Sequence, residues 1–158
     1  MKDMIDIYKN FKGYGGYPLR EAEKIIRSRI LTEFTNLIRL LEGCEEKTRN
    51  MRMIKILQHI IALKSRMNRM EKQIHERDEL FVPAYLKAHI SHIDEEKLKK
   101  IDFRLAELII KSKEIIDSLS CAETDTRIIE KFTRINEHLR NIEKNCHQRA
   151  LVLKREII

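Results

Sequence analysis

The chain has 158 residues, the length of one domain, and carries 32 basic against 25 acidic side chains for a net charge of +7. Hydrophobic residues make up 42% and charged residues 36%, a balance that supports a packed core and excludes wholesale disorder. Four glycines, all at or before Gly43, and two prolines are too few for the turns of a sheet-rich fold.

Residues 1–18 read as a lead-in that ends in the turn-rich, aromatic run Phe11-Lys12-Gly13-Tyr14-Gly15-Gly16-Tyr17-Pro18. Residues 19–158 read as a single helical-bundle domain. Ile26, Ile30, Phe34, Leu37 and Leu41 recur at helical spacing, and Gly43 is expected to close that first helix. A second helix is predicted from about Thr48 to Arg77, with Met53, Leu57, Ile60, Met67, Met70 and Ile74 on one side. Pro83 interrupts the chain, and Ala84 to Ile93 reads as a connector. Asp94 is the expected N-cap of a third helix, followed by Glu95 and Glu96 and the stripe Leu98, Ile101, Leu105, Leu108, Ile115 and Leu119. Ser120 and Glu123 have capping-box spacing. They precede a fourth helix with Ile128, Phe132, Ile135, Leu139, Ile142, Cys146, Ala150 and Leu153 on its apolar face. Four long helices with one stripe each predict an all-α fold, an antiparallel four-helix bundle with an extended C-terminal helix.

Apolar runs such as Ile60-Ile61-Ala62-Leu63 are too short for a membrane span. The acidic start, Met1 to Asp6, lacks the apolar core of a signal peptide. Cys44, Cys121 and Cys146 have neither disulfide-framework nor zinc-site spacing. The expectation is a cytoplasmic protein with reduced thiols and no membrane partner.

The charge is unevenly distributed. Residues 1–46 carry eight basic and eight acidic side chains, and residues 73–158 carry sixteen of each. Between them, Lys47, Arg49, Arg52, Lys55, Lys64, Arg66, Arg69 and Lys72 face Glu71 alone, so the whole excess lies in one stretch. Its interleaved apolar residues make it an ordered amphipathic element. On one helical wheel Arg52, Lys55, His59, Arg66 and Arg69 share an arc of about 100°. That strip runs roughly 25 Å at 1.5 Å per residue and could meet several successive phosphates. The expected nucleic-acid-binding residues are Arg49, Arg52, Lys55, His59, Arg66, Arg69 and Lys72. The competing reading is that these cations pair with acidic residues on the first or third helix. With no aromatic platform on the helix and no tryptophan in the chain, backbone contact is favoured over base readout. Lys64 falls among the apolar positions, where it either snorkels or marks a subunit boundary.

Signs of chemistry are sparse. His89 and His92 lie near Asp94 without an evident third metal ligand, and no phosphate-binding glycine loop or nucleophile elbow occurs. No metal, cofactor or catalytic residue is expected. One pattern stands as the alternative: Arg140 to His147 fits the arginine–histidine spacing of the HEPN ribonuclease family, which is also all-helical. Arg52 to His59 and Arg69 to His75 fit it equally, so the spacing discriminates little.

Tyr17-Pro18-Leu19-Arg20-Glu21-Ala22-Glu23-Lys24 opens the first helix, and Asn36 to Lys47 forms its end and the charged turn after it. With Leu63-Lys64-Ser65-Arg66-Met67-Asn68-Arg69-Met70 on the second helix, these segments resemble the four-helix-bundle family of accessory variability determinant (Avd) proteins. That family serves diversity-generating retroelements and includes relatives encoded in intervening sequences of large ribosomal RNA genes. The resemblance covers roughly residues 14–119. The chain departs from it in the long connector from His75 to Asp94, the extended fourth helix and the absent glycine–tryptophan helix end. The resemblance implies a homo-oligomer, a homopentameric ring of bundles, that binds a reverse transcriptase and nucleic acid and assists mutagenic cDNA synthesis without being catalytic. Arg52, Lys55, Arg66 and Arg69 match its basic surface. A purely structural helical subunit of an RNA-guided effector complex is the other alternative.

Overall fold

Four helices make up the architecture of the computed structural model, which describes residues 19–80, 92–119 and 123–155. They are α1 (Leu19–Asn50), α2 (Ile54–Leu80), α3 (His92–Asp117) and α4 (Asp125–Arg155), with no strand among the described residues. The periodic apolar positions form the core: Ile26, Ile30, Phe34, Leu37 and Leu41 of α1 are at most 3% exposed. Ile60, Met67 and Met70 of α2 meet them, as do Leu98, Leu105 and Leu108 of α3 and Ile128, Phe132, Ile135, Leu139 and Ile142 of α4. Each such side chain contributes about 1.5–3 kcal/mol by leaving water. Cys146 packs half-buried against this core, and Cys44 does so from α1. Cys121 and Leu153 lie outside the residues whose surroundings are described.

Four element boundaries differ from the sequence expectation. Gly43 does not close α1, which continues for seven more residues, and a Cβ there would meet open space. The real stop comes at Arg52, which takes the left-handed conformation with φ 57°. Its amide bonds to the Arg49 carbonyl at 3.1 Å and the Met53 amide reaches the Thr48 carbonyl at 3.2 Å, the two bonds of a Schellman motif with arginine in the place glycine prefers. Consequently α2 begins at Ile54 rather than near Thr48. At α3, the helix begins at His92, so Asp94 lies inside it rather than at its N-cap. For α4, Thr124 offers its carbonyl to the Ile128 amide at 3.1 Å and takes the expected place of Ser120, which lies outside the described residues. Glu123 instead receives two 2.8 Å bonds from Lys131, whose Nζ also donates to the Ser118 carbonyl at 2.6 Å.

Cross-helix contacts fix the arrangement. Thr35 Oγ1 donates to Glu71 Oε1 at 2.6 Å and Lys64 pairs with Glu45, so α1 and α2 form an antiparallel hairpin. Ser112 with His138 and Asp102 with Arg149 make a second antiparallel hairpin of α3 and α4. The hairpins dock through α1 on α3 and α2 on α4, so the order around the bundle is α1, α2, α4, α3. His59 meets Phe132, and Arg66 meets Asn136 and Glu143; the numbers rise together, so α2 and α4 run parallel. A cleft of about 250 Å³ at one end gathers Cys44, Ile56, Ile116 and Ile128, which places the start of α2 and the start of α4 side by side.

Candidate nucleic-acid interface

The basic stretch straddles the α1–α2 corner and does not lie on one helix. Lys47 and Arg49 occupy the last turn of α1, where cations suit the negative end of the helix dipole. Arg52 stands in the turn itself, and only Lys55, Lys64, Arg66, Arg69 and Lys72 of the stretch belong to α2. Counted over Ile54–Leu80, α2 has six basic and four acidic side chains, so the excess is greatest at the corner.

The expected binding residues separate into three groups. Arg66 is bound within the bundle: its side chain is 21% exposed, Nη1 donates to Asn136 Oδ1 at 3.1 Å and Nη2 to Glu143 Oε2 at 2.8 Å. The pairing anticipated for these cations is therefore real at this position, although the partner helix is α4 rather than α1 or α3. Lys64 pairs with Glu45, which identifies it as an α1–α2 tie. That lysine and Arg49 both donate to Glu45, and their bonds hold the Glu45 carboxyl below its ordinary range.

Arg49 and Lys72 form the second group. Arg49 is 63% exposed and meets Glu45 at 2.8 Å, while Lys72 is 76% exposed and stands 3.6 Å from Glu76. Exposed pairs one turn apart are worth at most about 0.5 kcal/mol, so both cations stay available to a stronger anion.

Arg52, Lys55 and Arg69 form the third group. All are exposed and none has an ion pair with a described residue. Lys47, which the sequence places in the basic stretch but not in the helical strip, is likewise exposed and without an ion pair to a described residue. Lys55 and Arg69 are about 21 Å apart along α2 at 1.5 Å per residue.

The aromatic reading also changes. His59 is exposed and its ring stacks on Phe132, with centroids 5.6 Å apart and planes 19° from parallel. The sequence offered no platform on α2 because the supporting ring comes from α4. Arg140 and His147 are both exposed, two turns apart on α4. Among the described residues, no three histidine, cysteine or acidic side chains converge as metal ligands, and no helix is long and apolar enough to cross a membrane. His89 lies outside the described residues.

Chemically, such an arrangement suits an extended polyanion: exposed cations without ion pairs to described residues stand on one corner and along one helix. No protein-family model matches the chain, and neither curated proteins nor solved structures yield a match.

Proposed function

We propose that the protein is a non-enzymatic nucleic-acid-binding bundle that serves as an accessory subunit of a reverse transcriptase. It would hold template RNA or nascent cDNA during the mutagenic synthesis of a diversity-generating retroelement. The observation that carries the binding reading is the set of exposed cations without ion pairs to described residues, Lys47, Arg52, Lys55 and Arg69, on a corner and helix whose neighbours are pinned. Each phosphate that such a cation neutralises releases condensed counterions, so affinity arises without sequence readout and falls steeply with salt. The polymerase partner and a homo-oligomeric, pentameric assembly are supported by the Avd resemblance alone.

The test measures RNA and DNA binding from low to high salt for the wild-type chain and for Arg52→Glu, Lys55→Glu and Arg69→Glu combined. Wild type is expected to bind with a steep salt dependence that the triple variant loses. Equal, salt-insensitive binding by both would sink the proposal. Labelled RNA included in the same assay separates the ribonuclease alternative: cleavage that disappears with His147→Ala would establish Arg140 and His147 as catalytic instead.

A further inference from the structure

Resting on the nucleic-acid reading above, we infer that the ligand is a single strand lying in the groove between α2 and α4. In this arrangement α4 supplies a second cationic wall, and Glu143 holds the affinity down. The two helices run parallel and adjacent, which sets Arg69 of α2 level with the stretch from Arg140 to Lys144 of α4. Arg69, Arg140 and Lys144 are all exposed and have no ion pair with a described residue. At about 100° per residue, Arg140 stands about 40° from Asn136 on the flank of α4 that faces α2, and Lys144 stands about 80° from Asn136, on the outward face of α4 at the rim of the groove. Packed helix axes stand about 8–10 Å apart, so Arg69 and Arg140 rise from the two sides of one furrow, with Lys144 at its outer rim.

The furrow's floor is polar and ordered. Arg66 reaches across it to Asn136 and Glu143, which makes Arg66 a positioning residue and not a phosphate ligand. Further along the same furrow, the exposed His59 ring is held at a fixed angle by Phe132 beneath it. A base can stack on a ring already fixed in this way without the cost of ordering it. That feature decides the strandedness. A duplex keeps its bases stacked on one another and offers His59 none, whereas a single strand presents them.

Glu143 is 43% exposed and is the carboxylate that meets Arg66 in the furrow. Its charge repels phosphates and occupies the Arg66 guanidinium. Neutralising it leaves Arg66 anchored by Asn136 with Nη2 turned over to the ligand. Arg140 thereby gains a role in binding that needs no cleavage chemistry.

The experiment is fluorescence anisotropy on the full chain, with a labelled oligouridine and a labelled duplex of equal length across a salt series. Arg140→Glu with Lys144→Glu is expected to weaken oligouridine binding about tenfold or more. The same pair should flatten the log–log salt slope by roughly 1.4, about 0.7 for each phosphate lost. Glu143→Gln is expected to tighten binding several-fold, a gain that unfolding cannot produce. His59→Ala should weaken the single strand and leave the duplex unchanged. Circular dichroism melts confirm that each variant is folded. If the Arg140/Lys144 pair and Glu143→Gln bind like wild type while Arg52→Glu with Lys55→Glu loses affinity, the groove is refuted and the corner reading stands. Duplex binding as tight as single-strand binding overturns the strandedness. Absence of binding by wild type removes both.

Discussion

Arg149 Nε donates a 2.8 Å hydrogen bond to Asp102 Oδ1, joining α4 to α3 through two side chains that are only 8% and 1% exposed. A buried ion pair is weak evidence of net stabilisation, yet removing one partner leaves the other charged in a dry environment. Asp102→Ala is expected to cost about 3–5 kcal/mol in urea unfolding, whereas Asp102→Leu with Arg149→Met should recover most of that loss. A loss below about 1 kcal/mol for the single variant would show that water reaches the pair.

Arg52 exchanges local comfort for position. A residue with a Cβ in the left-handed region loses about 1 kcal/mol relative to glycine, so Arg52→Gly should raise the melting temperature by roughly 2–4 °C. The same change removes an exposed cation of the corner and should weaken polyanion binding. Stability and binding moving in opposite directions is the signature expected. Calorimetry combined with a binding titration reads both, and a fall in melting temperature would refute the strain.

Gly43 offers the complementary case. It sits within α1 with open space where a side chain would go. Gly43→Ala should therefore stabilise the protein by about 0.5–1 kcal/mol, through helix propensity and a less flexible unfolded chain. A destabilisation would refute the helix-propensity account of Gly43.

His138 gives the fold a pH dependence. Burial lowers its pKa from the ordinary 6.5, with the Lys111 charge acting in the same sense, and Nδ1 stands 3.2 Å from Ser112 Oγ. The folded state thus binds a proton less readily than the unfolded chain, so stability rises with pH across that interval. The contribution is fully present above about 6.5 and is lost as pH falls through the folded value. Denaturant midpoints from pH 7.5 down to 5 should decline for wild type and flatten for His138→Gln.

The sequence made the bundle legible where periodicity is local: Phe34, Leu41, Leu105 and Leu139 are fully buried where their spacing placed them. The end of α1 was not legible. Glycine is the usual sign of a left-handed cap, and here arginine adopts that conformation while Gly43 continues the helix. The buried polar positions Asp102, Ser112 and Arg149 were also missed, because each has a partner on a different turn or helix that spacing does not reveal. At the interface, the cations were found but not their fates. Glu143 lies 77 residues from Arg66, and only the adjacency of α2 and α4 distinguishes that bound arginine from Arg69, which has no ion pair among the described residues.

The order α1, α2, α4, α3 has a consequence for how the molecule assembles. Each hairpin closes over a short connection at little cost in loop entropy, so hairpin formation is expected to precede docking of one hairpin on the other. The furrow between α2 and α4 takes one wall from each hairpin, and it comes into existence only at that last step. A strand bound there favours the docked state over its precursors by mass action. The same polyanion then acts as a clasp, and the protein should resist unfolding longest when it is occupied.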